Sequence, residues 1–486
     1  MNQLAATKAS PIWHFFSQIC AIPHPSKHEQ ALSSWIQHWA NEKGLAIEED
    51  ATGNLKISKP ATSGMENRQG VIMQAHLDMV PQKNSDTVHD FTTDPIRPYV
   101  DGEWVTAEGT TLGADNGIGM ASALAVLDSD DIAHGPLEVL LTIDEEAGMT
   151  GAFNLKPDWF EGKILINTDS EQNGEVYMGC AGGVDANLNL PIERKAVTSK
   201  EAALALSIRG LKGGHSGCDI HLGRGSANQL MGQLIRHLSQ QFDIELVTVS
   251  GGSLRNAIAR EADATLRIDA DKQTELSEAA QRFFAQHSKL LAVQEPSMAL
   301  TVEQTETTAL PFTESSATQL LNLVCALPHG VIRMSDSIEG VVETSTNLGV
   351  VTTEESNVSI QCLIRSLDDT GRQQVADQHA AIAALAGATV SFDGAYPGWA
   401  PNTDSVAMTT VRETYQSLFG STPNIMVIHA GLECGLFKAA YPDWDMVSIG
   451  PTIKFPHSPD EKVEIASVDD YWTLLQGVLK AIPKAA

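Results

Sequence analysis

The chain has 486 residues, of which 42% are hydrophobic and 19% are charged. It is too long for one ordinary hydrophobic core, so we expect a folded protein of at least two domains. The 32 basic and 61 acidic residues give a net charge of −29, which repels phosphate backbones and anionic membranes and argues against nucleic acid and membrane surfaces as partners.

The first residues and the cysteines indicate the cellular compartment of the protein. Residues 1–8 have no apolar signal core, and no stretch approaches the ~20 apolar residues that a membrane span needs. The six cysteines are scattered and form no CxxC pair, whereas disulfide frameworks belong to short secreted chains. The sequence therefore predicts reduced thiols and a cytoplasmic protein.

The first predicted elements are two helices. Apolar residues recur at helical spacing from Ile12 to Ile19. Ser26 and Glu29 form a pattern typical of a capping box, and the apolar-periodic run that follows them ends at Gly44. We therefore expect a second helix that begins after Glu29 and ends at Gly44.

Short apolar strands then alternate with helices. Residues 71–75, 137–143 and 164–167 read as strands, and residues 116–127 read as a helix. This alternation predicts an α/β sheet that is largely parallel, in which ligands collect beyond the carboxyl ends of the strands. The polar residues at these ends are His76, Asp78, Glu145, Glu146 and Asp169.

The middle of the chain, residues 187–398, lacks such carboxylate clusters. Within it, residues 251–256 precede an alternating strand at 264–269, and residues 344–349 precede a similar strand at 358–365; a helix follows each strand. We interpret this as a weak internal duplication. Chance similarity between ordinary strand–helix units is the alternative.

The predicted fold class is α/β. A catalytic domain with a mixed, largely parallel sheet flanked by helices comprises residues 1–186 and 399–486. An α+β lid domain made of two similar units, residues 187–398, is inserted into it.

Two adjacent carboxylates, Glu145 and Glu146, follow the apolar run 137–141. An ionised Glu is almost never fully buried unless it is paired or binds a metal. Because adjacent strand residues point to opposite faces, we expect the two to have different partners. We interpret one as a metal ligand and the other as a general base.

Five short stretches together supply a donor set for two metal ions. Mixed imidazole and carboxylate donors suit Zn²⁺, Co²⁺ or Mn²⁺, and the lack of a thiolate set argues against a closed structural zinc site. Two ions ~3.5–4 Å apart need a bridging carboxylate and about two further ligands each. The stretches contain His76 and Asp78, Asp115, Glu145 and Glu146, Asp169, and His457.

Each of these residues alone has an ordinary explanation. His76 at a strand end is more often a hydrogen-bonded structural residue. Asp115 before a helix is usually an N-cap, Asp169 is also typical of a turn, and His457 between two prolines is typical of an exposed loop. Their joint order is much more specific than any one of them.

That order resembles the co-catalytic zinc peptidase family that includes aminoacylases, succinyl-diaminopimelate desuccinylase, carboxypeptidase G and carnosinase. The His-x-Asp, Gly-x-Asp, Asp-Glu-Glu and late His motifs all occur in the family's order. The resemblance spans essentially the whole chain and includes Ile22 to Ser26, Gly213 to Gly217, and His429 to Gly435.

The resemblance implies a dinuclear zinc metallopeptidase that binds two Zn²⁺ per chain, with Co²⁺ or Mn²⁺ as substitutes. Asp115 would bridge the two ions. His76 and Asp169 would complete one site, and Glu146 and His457 would complete the other.

The resemblance also implies three catalytic roles. Asp78 would fix the tautomer of the His76 imidazole, and Glu145 would be the general base that passes a proton from water to the leaving amine. His215 would donate a hydrogen bond to the oxyanion. The residues alone favour a different interpretation of His215, a histidine at a helix entry beside a Gly-rich turn, and only the resemblance indicates the catalytic role.

Recognition of the substrate's free carboxylate is implied for Asn256, Arg365 and Gly431. Arg365 can clamp a carboxylate bidentately, with a salt bridge on the strand surface as the alternative. Gly431 is otherwise a turn glycine.

The implied activity is broad hydrolysis of unblocked dipeptides, Xaa-His included. An N-acyl-amino-acid amidohydrolase is the first alternative, because both enzymes cleave an amide beside a free carboxylate. The second alternative is a non-catalytic, metal-dependent peptide-binding protein, against which the intact Glu145 argues.

The predicted duplication bears on this mechanism. In relatives with a single inserted unit, a dimer partner delivers the His and the Asn. Here the first unit carries His215 and Asn256 and the second carries Arg365, so we expect the doubled insert to mimic that dimer. The sequence leaves the oligomeric state open, a homodimer included.

Overall fold

The computed structural model describes residues 2–198, 200 and 202–485. The helices are α1 Ser10–Cys20, α2 Gln30–Glu42, α3 Ala114–Asp128, α4 Glu145–Gly148, α5 Thr150–Phe153, α6 Ala227–Ser239, α7 Gln273–Leu290, α8 Glu314–Ala326, α9 Asp369–Ala386, α10 Val406–Phe419, α11 Glu433–Ala440 and α12 Ile465–Ala481. The strands are β1 Ala46–Glu49, β2 Leu55–Lys59, β3 Val71–His76, β4 Pro98–Asp101, β5 Trp104–Ala107, β6 Leu137–Thr142, β7 Ile164–Asn167, β8 Glu175–Cys180, β9 Gly182–Pro191, β10 Ala202–Arg209, β11 Gly214–His215, β12 Glu245–Gly251, β13 Ala257–Ile258, β14 Ala262–Ile268, β15 Ala299–Thr305, β16 Gly330–Met334, β17 Val342–Thr353, β18 Asn357–Ser366, β19 Thr389–Tyr396, β20 Asn424–Ile428, β21 Asp445–Ser448, β22 Ile453–Lys454 and β23 Lys462–Glu464.

The chain divides into two compact units. The split unit consists of Met1–Gly179, Trp399–Val427 and Leu432–Ala486, and the inserted unit consists of Cys180–Gly398 and Ile428–Gly431. The inserted unit thus starts before residue 187 and includes a short later segment. The assignment of 187–398 as a lid stays a prediction.

A mixed sheet with the order β1-β2-β6-β3-β7-β21-β8-β20 forms the centre of the split unit. Strand β3 is parallel to β6 and β7, and β7 is parallel to β21, whereas β1 and β2 are antiparallel additions at one edge. Every residue of β3, β6 and β7 is buried, which explains why their sequences are mostly apolar and do not alternate between apolar and polar residues. The predicted α/β class with a mixed sheet is confirmed.

Helix α3 positions the start of the candidate site. Residues 114–127 of this helix are all buried, as expected for a helix that is apolar on every side. A Cβ at Gly117 would lie 2.9 Å from the ring of Phe16, so glycine allows α1 and α3 to approach closely. The kink at Asp115 and Asn116, which a cis peptide bond joins, lies at the buried start of the helix.

The inserted unit is built on a second sheet, with the order β15-β10-β14-β12-β17-β18-β9-β19, and β16 pairs with β17. Side chains of α6, α7, α8 and α9 share a core with this sheet, for example Leu234, Phe284, Leu320 and Val375. Of the two segments predicted to be similar, residues 251–256 lie at the end of β12 and in the loop before β13, whereas residues 344–349 lie within β17. The strands that follow them are β14 and β18, and the helices after those strands are α7 and α9. In the described part of the chain, no helix has the length and apolar character to cross a bilayer.

Candidate metal centre

The five predicted metal ligands come together in the split unit. Three of them, His76, Glu146 and Asp169, lie at or just beyond the ends of β3, β6 and β7, because parallel strands present their carboxyl ends at one edge. Asp115 lies in the first turn of α3, and His457 lies in the loop between β22 and β23. They form two groups, one of His76, Asp115 and Asp169 and one of Asp115, Glu146 and His457, with ligand atoms within 4.8 Å of one another in each group.

Asp115 belongs to both groups. Its Oδ1 lies 3.3 Å from Nε2 of His76, and its Oδ2 lies 3.2 Å from Nε2 of His457. Nε2 of His76 also lies 3.4 Å from Oδ1 of Asp169, and Nε2 of His457 lies 2.9 Å from Oε1 of Glu146. Each oxygen of one carboxylate therefore faces a different imidazole, as a bridging ligand requires.

Two further atoms show that the donor set fits metal ions. Oε1 of Glu146 and Oδ1 of Asp169 are buried and accept no hydrogen bond, although each lies near an imidazole nitrogen. This is expected when donor atoms point at a common position rather than at one another. Two imidazoles and three carboxylates without a thiolate match the ligand preference of Zn²⁺, Co²⁺ and Mn²⁺.

Proton affinities in this cluster reflect its crowded carboxylates. The hydrogen bond to Asp115 and the adjacent carboxylate of Glu146 raise the pKa of His457 to about 11. Burial raises the pKa of Asp169 to about 7 and also raises the pKa of Glu146. Metal ligands must be deprotonated, so metal binding at this cluster competes with protons.

Asp78 orients the His76 imidazole and the chain that follows β6. Nδ1 of His76 lies 2.9 Å from the backbone oxygen of Asp78 and 3.3 Å from its carboxylate, which directs Nε2 towards the ligand cluster. The same carboxylate accepts the backbone N–H groups of Glu145 at 2.9 Å and Glu146 at 3.2 Å. Burial opposes its charge, but these hydrogen bonds lower the pKa of Asp78 to about 2.

The strand-based explanation for the two adjacent carboxylates is wrong. Strand β6 ends at Thr142, and Glu145 and Glu146 open the short helix α4. Asp144 has φ 53°, in the left-handed region, and turns the chain out of the strand. The two carboxylates have different surroundings because they lie in the first turn of α4, where the backbone N–H groups of both residues bind Asp78. Alternation along a strand is not the reason.

The predicted capping box at Ser26 is also wrong. Helix α2 begins at Gln30, and the Ser26 hydroxyl donates to Asp78 at 2.7 Å. Glu29 accepts the backbone N–H groups of Lys27 at 2.9 Å and of Asp144 at 3.1 Å. Both polar side chains thus stabilise the surroundings of Asp78 instead of a helix end.

Glu145 has the environment of a proton acceptor. Burial raises its pKa well above the ordinary value, and the nearby carboxylates of Asp169, Glu433 and Glu146 add to the shift. A carboxylate whose burial raises its affinity for protons suits general acid–base catalysis.

Sequence reasoning missed Glu461, although it follows His457 by only four positions. Its buried carboxylate accepts the backbone N–H groups of Leu112 and Ala114 at 2.8 Å, of Gly113 at 3.0 Å and of Asp115 at 3.2 Å. Glu461 therefore fixes the turn that carries Asp115. Its partners are more than 340 positions away in the sequence, so no local pattern could have indicated this role.

Glu433 belongs to the motif from His429 to Gly435, but the sequence indicated no role for it. Its side chain is also buried. Its Oε2 accepts from Gln74 at 2.6 Å and from Thr142 at 2.8 Å, and Asn167 donates to Gln74 at 2.5 Å. The Oδ1 atom of Asn167 in turn accepts the backbone N–H of Asp169 at 3.2 Å. This buried network ties together the ends of β3, β6 and β7.

His215, in the inserted unit, has a defined tautomer. The backbone N–H groups of Gly217 and Cys218 donate to its Nδ1 at 3.2 Å and 3.0 Å. Nδ1 is therefore an acceptor, and the ring hydrogen lies on Nε2. Burial and the neighbouring charge of Arg365 lower the pKa of His215, so the ring is a neutral N–H donor.

The other three predicted substrate residues also belong to the inserted unit. The backbone oxygen of Asn256 accepts from Ser216 at 2.9 Å, and Ser216 Oγ accepts from Nε of Arg365 at 3.3 Å. Arg365 is only 5% exposed, which does not match a salt bridge on the strand surface. Gly431 lies in the short later segment of this unit.

Comparisons with known proteins place these observations in a family. The profile of Peptidase family M20/M25/M40 matches residues 72–481. The chain is 55% identical over 483 residues to Cytosol non-specific dipeptidase of Escherichia coli (strain K12), covering 99% of this chain and 100% of that protein.

Solved structures give the same result for the fold. The crystal structure of aminoacylhistidine dipeptidase from Vibrio alginolyticus matches with a TM-score of 0.94 and 56% identity over 99% of both chains. Aminopeptidase PepT from Bacillus cereus ATCC 10987 matches with a TM-score of 0.57 over 98% of this chain and 99% of that chain. At 15% identity, this second likeness concerns the fold alone.

Proposed function

Because this chain belongs to Peptidase family M20/M25/M40, we propose that it is a dinuclear zinc dipeptidase of broad specificity that hydrolyses unblocked dipeptides, Xaa-His included. The position of Asp115 carries the proposal, since its two oxygens face the imidazoles of His76 and His457. The full-length similarity to proteins named as dipeptidases supports the substrate class. The name of the E. coli relative supports a cytosolic location.

The same residues define the two ion sites. His76, Asp115 and Asp169 would hold one ion, and Asp115, Glu146 and His457 would hold the other. When bound, two such ions would supply Lewis-acid polarisation of the substrate carbonyl and would lower the pKa of water to roughly 7. Co²⁺ and Mn²⁺ accept the same donors and serve as substitutes.

The chain's own groups supply proton transfer and orientation. The Glu145 carboxylate takes a proton from the attacking water and gives it to the leaving amine, a task that its raised pKa suits. Asp78 holds the His76 tautomer through its backbone oxygen and binds the backbone N–H of Glu145 through its carboxylate, so one residue orients both a proposed ligand and the proposed base.

The inserted unit contributes the remaining roles. The Nε2–H group of His215 stabilises the developing oxyanion, and Arg365, Asn256 and the backbone of Gly431 bind the substrate's free carboxylate. We assign residues 187–398 to a lid of two similar units. The sheet order supports the duplication, because β12 with β14 and β17 with β18 lie on opposite sides of the middle of the sheet.

Metal analysis combined with a substrate panel tests the proposal. The purified protein should contain two zinc ions per chain and should hydrolyse Ala-His. Chelation should abolish turnover, and Zn²⁺, Co²⁺ or Mn²⁺ should restore it. Hydrolysis of N-acetyl-histidine alone would identify an amidohydrolase, and no hydrolysis of either compound by the metal-loaded protein would identify a binding protein.

A further inference from the structure

A tyrosine without any role above lies beside Arg365 in the inserted unit. The hydroxyl oxygen of Tyr396, the last residue of β19, accepts a hydrogen bond from Nη1 of Arg365 at 3.1 Å. A guanidinium group has no acceptor atom, so the phenolic hydrogen must point elsewhere. The hydroxyl is therefore an available donor next to a buried cation.

Two glycines create the space for this side chain. A Cβ at Gly183 would lie 2.7 Å from the Tyr396 hydroxyl, and a Cβ at Gly431 would lie 3.1 Å from its ring. Neither glycine has a positive φ, so the nearby ring, not the backbone conformation, disfavours a larger residue at both positions, most strongly at Gly183. Gly431 thus has a second function beside its proposed contact with substrate.

Further contacts hold both members of the pair in place. Nη1 of Arg372 donates to the backbone oxygen of Tyr396, and Nε of Arg365 donates to Ser216 at 3.3 Å. Burial raises the pKa of the Tyr396 phenol, which keeps the hydroxyl protonated near neutrality. Fixed donors lose little freedom when a ligand binds, so such a pair suits recognition of one defined anion.

We propose that Tyr396 is a specificity-determining residue that donates its phenolic hydrogen to the C-terminal carboxylate of the substrate, beside Arg365. This rests on the proposed function. A carboxylate has two oxygens and can accept from the guanidinium and the phenol at once, whereas a C-terminal amide presents only one acceptor oxygen. Tyr396 therefore favours substrates that end in a free carboxylate.

The test compares Tyr396→Phe with wild type on Ala-His and on Ala-histidinamide. The variant should raise KM for Ala-His by about tenfold, change kcat by less than about twofold and leave the slower hydrolysis of the amide unchanged. Tyr99→Phe is the matched control, since Tyr99 is 44% exposed. An unchanged ratio of kcat/KM between the two substrates would overturn the proposal, whereas failure of wild type to cleave Ala-His would instead overturn the proposed function.

Two more variants separate donation from mere support of Arg365. In an Arg365→Met background, Tyr396→Phe should still lower the preference for the free carboxylate several-fold; no further effect would show that Tyr396 acts only through Arg365 and would refute donation. Gly183→Ala displaces the hydroxyl without changing Tyr396, and it should lower the same preference. Thermal unfolding midpoints verify that each variant is folded.

Discussion

The Glu461 carboxylate accepts the backbone N–H of Asp115, the one carboxylate that faces both imidazoles of the candidate centre. Three preceding N–H groups donate to the same side chain. A residue outside the proposed ligand set therefore determines where the proposed bridging ligand lies. Such supporting contacts typically change metal affinity by ~10–100-fold when they are removed.

We expect Glu461→Gln to weaken zinc binding by ~10–100-fold and to destabilise the metal-free protein by about 3 kcal/mol, because an amide group would face buried N–H donors. Competition with a chromophoric chelator measures the affinity, and denaturant unfolding measures the stability. Asp460→Asn, at an exposed neighbouring position, is the control. Wild-type zinc affinity in Glu461→Gln would contradict the assigned role.

A second prediction separates the two adjacent carboxylates. Glu145→Gln should retain both metal ions but lose ~10²–10⁴-fold in kcat, the usual contribution of a general base. Glu146→Gln should instead lose metal, because it removes a proposed ligand. Metal content and steady-state kinetics of the two variants provide the check, and an unchanged rate in Glu145→Gln would refute its role.

The residues of the candidate centre also show how far the sequence could predict the site. Strand ends placed His76 and Asp169 at one edge of the sheet, since apolar runs and the polar residues after them are local signals. The turn at Asp144 is not such a signal, because it depends on contacts of Glu29 and Asp78 with a segment that is distant in the sequence. The strand assignment therefore continued past its true end.

Roles that depend on backbone donors were equally hidden from the sequence. The tautomer of His215 follows from the N–H groups of Gly217 and Cys218, and Ser26 and Glu461 contact segments far along the chain. A motif identifies a side chain that can act as a ligand or in catalysis. The hydrogen bonds that orient this side chain are known only when the fold is known. The same holds for Tyr396, which no motif included.

A third prediction concerns protons released on metal binding. His457 has its pKa raised to about 11 by Asp115 and Glu146, so it is protonated in the metal-free protein at neutral pH. Zinc requires neutral imidazole, so zinc affinity should rise with pH from 6 to 8. Calorimetry of zinc binding in buffers of different ionisation enthalpy should show that at least one proton is released per chain. The number of protons released should be smaller for His457→Ala than for wild type. No buffer dependence would contradict the assignment.

The last prediction concerns which chain supplies His215. Its Nε2–H group is a neutral donor, so His215→Ala should lower kcat by ~10²–10³-fold, as for loss of one oxyanion donor. If the doubled inserted unit mimics a dimer, each chain uses its own His215, and two kinds of inactive chain cannot rescue each other. We therefore expect no recovery when His215→Ala and Glu145→Ala chains are unfolded, mixed and refolded together.

Different affinity tags on the two variants show whether mixed dimers form, and refolded wild type shows that the procedure preserves activity. Activity in tagged mixed dimers would mean that His215 acts across a subunit interface, and the doubled unit would then need another explanation.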